Sequence, residues 1–252
     1  MNYFQNAVRS LRRNRAHSLL NIFGLAVGLA CAGLIFLWVE DELSFDNNHL
    51  KKDRIYLVDV NEVTNTGIIT HSSTPGALRE VLPSMINGVV NTLRMSDPTT
   101  VLFHLDDKSM NAAGIYADAS VFDIFTLPFV DGNAKSAFSQ INSIVLTERA
   151  ARKFFGDSKS CMGKTVTMDN KQAYVVAGVL RDMPENSSVQ FEWVAPMEAY
   201  IEQHTNLKGW GNFALTTYVE MRPGADIAAV NQILADPKYD FTTQRQIGRA
   251  HV

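Results

Sequence analysis

Few residues in this chain are placed, by type and spacing, to do chemistry. Gly163-Lys164-Thr165 has the ending of a phosphate-binding loop, in which backbone N–H groups cradle phosphate, the lysine reaches it and the threonine hydroxyl holds magnesium. Such a loop needs a glycine five residues before Gly163. Ser158 stands there, and the nearest glycine is Gly156, so the segment reads as a turn. The six histidines are scattered: His49, His71, His104 and His204 do not share the close spacing that sets two imidazoles on one metal ion. Asp106-Asp107 reads as a hairpin tip, with a metal site the alternative. Asn186-Ser187-Ser188 is a glycosylation triplet, but it equally suits an exposed turn after Pro184, and the turn is the favoured reading. No Gly-x-Ser-x-Gly elbow is present. The two cysteines, Cys31 and Cys161, build neither a disulfide framework nor a zinc pair. The sequence therefore predicts no catalytic, cofactor or metal site.

The elements say more than the reactive groups. At 252 residues, 46% hydrophobic and 19% charged, the chain has room for ordered domains with proper cores. The formal charge of −3 gives no reason to expect a nucleic-acid partner. That total hides a division. Residues 1–39 hold Arg9, Arg12, Arg13 and Arg15 and no acid, which leaves 19 basic against 26 acidic residues, a balance of −7, in residues 40–252. A basic arm and an acidic body flank one apolar run.

That run has no charge over the 24 residues between Arg15 and Glu40, and Leu19–Val39 is broken only by Asn21. Twenty-one residues of helix rise roughly 31 Å, matching a hydrocarbon core of ~30 Å. Twelve of them are Leu, Ile, Val or Phe, and at their usual transfer values these favour insertion by about 4–7 kcal/mol. Three other readings fit less well. A buried core helix is rarely apolar on every face. A cleaved signal has a shorter apolar region and a small-residue cleavage site; this run ends in Phe36-Leu37-Trp38-Val39. A lipoprotein signal is suggested by Leu29-Ala30-Cys31, but eight apolar or small residues follow that cysteine. A membrane span over residues 18–39 is predicted. The arginines of the arm put the N-terminus on the cytoplasmic side, Trp38 anchors the far interface, and Glu40-Asp41-Glu42 open the outer aqueous phase. Phe4, Val8 and Leu11 recur at helical spacing beside Arg9, Arg12 and Arg13, the pattern of an amphipathic helix on the inner leaflet; a flexible basic tail is the alternative. Gly24, Gly28 and Ala32, four residues apart, form a smooth groove suited to a neighbouring helix.

From Glu40 onward, short strands and helices mix in an order that predicts an α+β domain rather than a regular βαβ alternation. Strands are expected at 55–60, 89–95, 101–105, 164–168, 173–180 and 215–222. Thr74 is read as the cap of a helix through Met85 with Pro75 at its first position, and Thr147 as the cap of a helix ending at Gly156. Asp169-Asn170 turns a hairpin, and Pro223-Gly224 leads into a last helix over 225–234.

Several segments then combine into a family likeness: Glu42-Leu43-Ser44-Phe45-Asp46, Asp53-Arg54-Ile55-Tyr56, Leu146-Thr147-Glu148, Ala151-Arg152-Lys153-Phe154-Phe155-Gly156, Gly163-Lys164-Thr165, and most sharply Gly178-Val179-Leu180-Arg181-Asp182-Met183-Pro184-Glu185-Asn186-Ser187, with Trp210 and Tyr218 beyond. In this order the chain resembles the ABC-transporter permeases of the MacB and FtsX type, in particular their MacB-like periplasmic core domain, over residues 1–235. Leu57 departs from the arginine expected after Ile55-Tyr56, a local surface difference. The motif residues read physically as structure: Pro184 drives Met183 out of helical space, Asn186 bonds its own backbone in a turn, Gly178 marks a bulge or a close contact, and Asp53-Arg54 is a salt-bridged strand entrance.

The resemblance implies the inner membrane of a bacterium, a periplasmic domain, and a protein without catalysis of its own. It also implies a porter-like part at about 50–105 and 213–240 and an inserted part at 106–212. The implied partners are a separate cytoplasmic ABC ATPase, a second permease subunit in a dimer, and a periplasmic adaptor or envelope protein. The implied cargo is a lipoprotein, peptide or drug. The final residues, Ile247-Gly248-Arg249-Ala250-His251-Val252, read as translated adapter sequence and are set aside from the fold, so the chain is expected to be the N-terminal fragment of a longer permease. The reading from another class is a single-pass anchored sensor or binding ectodomain, which explains the span and acidic body but not the ordered motifs.

Overall fold

A computed structural model describes residue 13 and residues 15–105, 108–157, 161–234 and 245–251. It divides after Asp46 into two units. The first is a single helix, α1 (Arg15–Ser44), with no buried residue on any face. Its uniform apolar surface has no protein core to enter, and it is long and apolar enough to cross a membrane. The helix does not stop at Val39: it carries the three acids as well and closes where the Ser44 hydroxyl donates to the carbonyl of Asp41 at 2.7 Å. Of the arginine arm, Arg13 and Arg15 are helical; Arg9, Arg12 and the amphipathic segment around them lie outside the described residues.

The second unit is α+β, as expected. A short 3-10 turn (Lys52–Arg54) leads into β1 (Ile55–Thr64), which hairpins into β2 (Gly67–His71). Then come β3 (Ser73–Pro75), α2 (Leu78–Met85) and β4 (Val89–Ser96). Much later β12 (Phe213–Met221), α7 (Ile227–Leu234) and β13 (Arg245–His251) complete the same layer. The strand order β4-β12-β1-β13, antiparallel throughout, with two helices in β-α-β-β-α-β order, is the split βαβ arrangement. Leu78 and Leu82 of α2 and Val230 and Leu234 of α7 pack on Tyr56, Val58, Val219 and Met221, the inward set of β1 and β12. That alternation is what fixes the register of each strand. The segment set aside in the sequence as a tail supplies residues 247–251 of β13.

Between β4 and β12 the chain inserts a second layer. It contains β5 (Thr99–Leu105), β6 (Lys108–Ala117), the short helices α3 (Val121–Ile124) and α4 (Ala134–Ala137) with β7 (Phe129–Asp131) between them, and β8 (Ser143–Thr147). It continues with α5 (Glu148–Phe155), β9 (Thr165–Met168), β10 (Gln172–Leu180), β11 (Trp193–Pro196) and α6 (Met197–Gln203). Strand β11 pairs with β8 on one side and β6 on the other, so β6-β5-β9-β10-β8-β11 closes into a six-stranded ring with no free edge inside it. Phe103, Tyr116, Tyr174 and Trp193 fill its interior, with Tyr116 and Phe103 meeting the Trp193 ring edge-on at 5.2 and 5.9 Å.

Three expectations change. Thr74 caps no helix: it lies in β3, and its hydroxyl donates to the carbonyl of Leu215 at 2.8 Å, while α2 begins at Leu78. Pro75, read as the first helical position, is in β3 as well, and a Cβ on Gly76 after it would lie 2.0 Å from the carbonyl oxygen of Leu207. Among the described residues strand β5, assigned to the porter-like part, pairs with β6 and β9, which places it in the ring. Asp106-Asp107 lie outside the described residues, between the paired ends Leu105 and Lys108. Other readings hold. Asp169 and Asn170, at φ 49° and 56°, turn the β9–β10 hairpin, and Gly178 coincides with a register shift between β10 and β8. A Cβ on Gly178 would meet Phe129 at 2.8 Å.

Candidate functional site

The residues that follow α1 are held to the second unit at several points. His49 is buried; its Nδ1 accepts from the N–H of Thr126 at 3.1 Å and its ring tilts against Phe125 at 5.1 Å. The N–H of Leu50 donates back to Thr126 Oγ1 at 2.9 Å. Lys51 Nζ donates to the carbonyl of Asp123 at 2.7 Å and to Glu220 Oε2 at 3.0 Å. Arg54 Nη2 lies 3.6 Å from the other oxygen of Glu220, and Asn91 Nδ2 donates to Oε2 at 2.7 Å. Glu220, on β12, is 2% exposed, so three partners offset the cost of burying its charge. Segment 49–54 is thereby fastened to the α3 region of the insertion and to the central strand of the split βαβ layer. Arg54 makes its ion pair with Glu220; the carbonyl of Asp53 accepts from the Tyr56 hydroxyl at 3.2 Å.

A second ionic set joins the layers where β4 meets β6. Asp118 is buried, and Arg94 binds it through Nη2 at 2.8 Å and Nε at 3.1 Å, with the Arg94 N–H on the same carboxylate at 2.7 Å. Arg79 reaches Asp118 at 3.3 Å. Burial works against the Arg94 charge, but the hydrogen bond and the charge of Asp118 outweigh it and hold the pKa of Arg94 above its ordinary value.

The sharpest motif segment works locally. Asp182 accepts from the N–H of Arg149 at 2.7 Å and from Arg152 Nη2 at 2.9 Å, which ties it to the first turn of α5 beside the Thr147 cap. The carbonyl of Pro184 accepts from Gln190 Nε2 at 2.6 Å, and the Ser187 N–H closes the turn on the same carbonyl. Asn186 lies in that turn. Gly156 ends α5 at φ 78°, Gly163 turns at φ 74°, and Lys164 lies over the Phe155 ring at 5.2 Å. These residues therefore bracket α5, Asp182 at its N-terminal turn and Gly156 and Lys164 at its C-terminal end. Glu42, Ser44, Phe45 and Asp46 belong to the helix unit, where Asp46 breaks the helix at φ 56°. Gly24 and Gly28 lie on an open helix face, where a Cβ meets nothing within 4 Å, and Ala32 is exposed there too.

Sequence reasoning missed His49, Lys51, Arg94, Asp118 and Glu220. A signal existed for two of them: Arg94 and Glu220 are charges inside strands, each set between two buried apolar neighbours, Leu93 and Met95 or Val219 and Met221. Two clefts open on the outer unit, one of about 120 Å³ between Asn48, the 126–128 segment and the 181–184 turn, and one of about 230 Å³ between the β4–β5 turn, β12 and residues 188–190. Both are smaller than the ~300–1,000 Å³ of drug-sized ligand sites. Among the described residues no group of His, Cys, Asp and Glu could hold a metal ion.

Residues 18–236 match the family model of the MacB-like periplasmic core domain. Three solved structures share the fold. A domain of a permease protein from Porphyromonas gingivalis has 22% identity and a TM-score of 0.68, over 81% of this chain and 91% of that one. The periplasmic region of MacB from Actinobacillus actinomycetemcomitans has 15% identity and a TM-score of 0.56, over 81% and 89%. The extracellular domain of the ABC-type transporter YknZ from Gram-positive bacteria has 14% identity and a TM-score of 0.53, over 77% and 100%. No curated protein matches the chain.

Proposed function

The chain belongs to the family of the MacB-like periplasmic core domain, as a component of an ABC-transporter permease, and on that premise we propose that it converts ATP-driven motion into work outside the cytoplasm. A separate cytoplasmic ATPase supplies the motion, α1 carries it across the bacterial inner membrane with its arginine end in the cytoplasm, and the outer unit applies it to a lipoprotein, peptide or drug. The open Gly24/Gly28/Ala32 face suits packing against the remaining spans or a second permease subunit.

The observation that carries this reading is the fastening of residues 49–54. Such bolts give the start of the second unit a firm point at which force can be applied. Lys51 and Glu220 bind the start of the second unit to both of its layers, so a pull applied at residue 51 reaches both layers together.

The test uses the complete permease co-expressed with its ATPase in membrane vesicles. Co-purification of the two, and a reporter enzyme fused near residue 120 active only on the far side of the membrane, are expected. A reporter active only in the cytosol overturns the topology and the transport reading with it. Lys51→Met is expected to leave ATPase binding intact and to lower transport per ATP hydrolysed several-fold. An unchanged ratio removes Lys51 from the coupling path.

A further inference from the structure

The larger cleft, of about 230 Å³, opens where the two layers of the outer unit meet. Met95, Thr216 and Tyr218 come to it from β4 and β12 of the split βαβ layer, and Ile115, Val189 and Gln190 from the insertion. Ligand sites favour junctions of this kind. Met95, Ile115 and Val189 are buried and supply an apolar floor beside the half-buried ring of Tyr218. At roughly eight water volumes of ~30 Å³ each, the cleft has room for one long side chain and excludes a drug-sized molecule.

The polar groups left over in this cleft are acceptors. Asp97 is the one charged residue of the lining; it is exposed, and its carboxylate has neither an ion pair nor a hydrogen bond among the described residues. Its backbone is nevertheless held. Ser96 Oγ donates to the Asp97 carbonyl at 3.0 Å and accepts from the N–H of Tyr116 at 3.0 Å, and Pro98 fixes the next φ. Gln190 Nε2 donates to the carbonyls of Pro184 and Ser187 at 2.6 and 3.2 Å, which leaves Oε1 as its remaining acceptor. No cation on the walls is spare for Asp97. Arg94 of β4 is taken by Asp118, and Lys108 lies seven residues, roughly 23 Å, along β6 from Ile115. Arg181 opens the other cleft. The remaining charges of these elements are acids: Glu220 on β12, and Glu185 and Glu192 on either side of residues 188–190.

Acceptors over an apolar floor, with no cation to spare, select a cation that only donates and that sits on an apolar stem. A guanidinium does so: it has five donors and no acceptor, binds a carboxylate through two parallel bonds and stacks on an aromatic face. Free arginine would also bring an α-carboxylate, for which the lining holds no cation; arginine within a polypeptide brings none. A second copy of the chain would bring an outer unit with a balance of −7 to an acidic cleft. We propose that the cleft binds the side chain of an arginine presented by a partner polypeptide, its guanidinium on Asp97 and Gln190 and its stem across Met95, Ile115 and the Tyr218 ring. Such an occupant touches both layers at once. The proposal goes beyond the transport reading and does not depend on it, and the two fail separately: neither the topology of the chain nor its ATPase enters the binding measurement.

The test titrates the full chain, held in lipid nanodiscs and carrying carbon-13 methyl groups on methionine and isoleucine, with a short peptide of one arginine between glycines and both ends blocked. The methyl signals of Met95 and Ile115 are expected to shift with a Kd on the order of 1 mM, the affinity one side chain can supply. Replacing the arginine by citrulline, its uncharged isostere, is expected to weaken binding about ten-fold, the size of one charge-assisted hydrogen bond. Asp97→Asn, an exposed change with no partner to lose, is expected to weaken the arginine peptide by a similar factor and to leave the citrulline peptide unchanged. Free arginine is expected to bind several-fold more weakly than the blocked peptide. The proposal is overturned if the two signals do not move by about 10 mM peptide, or if citrulline or Asp97→Asn leaves the affinity unchanged. Free arginine binding as tightly as the peptide would make this a small-cation site and overturn the polypeptide assignment. Shifts that grow with protein concentration in the absence of peptide would make a second copy the occupant and overturn it too.

Discussion

A carboxylate 1% exposed is tolerable only if its partners stay, and for Asp118 they are unequal. Arg94 gives Asp118 three of its hydrogen bonds, counting the backbone N–H, whereas Arg79 is one-third exposed and meets it at a single longer contact. Removing one member of a buried pair costs about 3–5 kcal/mol, and an exposed pair is worth about 0–1. Arg94→Met is therefore expected to destabilise the outer unit by about 3 kcal/mol and Arg79→Gln by under ~1 kcal/mol, read from urea midpoints of the detergent-solubilised chain. Equal losses would mean that Arg79 and Arg94 share the neutralisation of Asp118 and that the closer partner does not dominate. Gly114 makes a second prediction of this scale. A Cβ there would lie 2.2 Å from the Trp193 ring, whose Nε1 donates to the carbonyl of Ala112 at 3.0 Å. The indole cannot retreat without losing that bond. Gly114→Ala is expected to cost at least about 1–3 kcal/mol by overpacking and to shift the Trp193 near-ultraviolet signal.

At the scale of elements, α5 shows how a short helix is made to persist. Eight residues alone are too few to be stable in water. Thr147 Oγ1 accepts from the N–H of Ala150, Asp182 accepts from the N–H of Arg149, and Gly156 supplies the left-handed stop. Ala150, Ala151 and Phe154 then bury one face in the ring core. Thr147→Ala and Asp182→Ala are each expected to cost about 0.5–2 kcal/mol. Because they satisfy neighbouring N–H groups of one turn, the double variant is expected to lose less than the sum of the two. Strict additivity would assign Asp182 to the turn at Pro184 rather than to the helix. Thr147 and Gly156 were legible from the sequence, since capping is local chemistry. Asp182 was legible only as a motif residue, because its partner lies 33 residues away.

For the whole molecule, the ring interior sets a response to alkali. Burial raises the pKa of Tyr116 and of Tyr174, and burial likewise raises the Cys161 thiol. Each group ionises first in the unfolded chain, at about 8.5 for a thiol and about 10 for a phenol. The unfolded state therefore binds fewer protons than the folded one above those values, and stability falls as pH rises through them. The urea midpoint is expected to be flat from pH 7 to about 8 and to decline steadily above about 9. Tyr116→Phe removes one titrating group and its bond to Met168 Sδ; it is expected to lower stability at neutral pH and to make the alkaline decline shallower. An unchanged slope would show that Tyr116 is not protected in the fold.

Features governed by local pattern could be read from the residues alone. An uncharged run of membrane length needs no tertiary partner to be recognised, and α1 lies where the run predicts. The α+β class, the Asp169-Asn170 hairpin and the Gly156 stop arise likewise from periodicity and turn chemistry. Which strands meet is a different matter, settled by packing between segments far apart in the chain. The ring closes because β11, four residues long, pairs with β8 and β6 at once, a choice fixed by the fit of Trp193 over Gly114 and by nothing in the local pattern. The fastening of residues 49–54 is of the same kind: Lys51 and Glu220 are 169 residues apart, and two ordinary surface-type charges become one bolt only when β1 and β12 lie side by side.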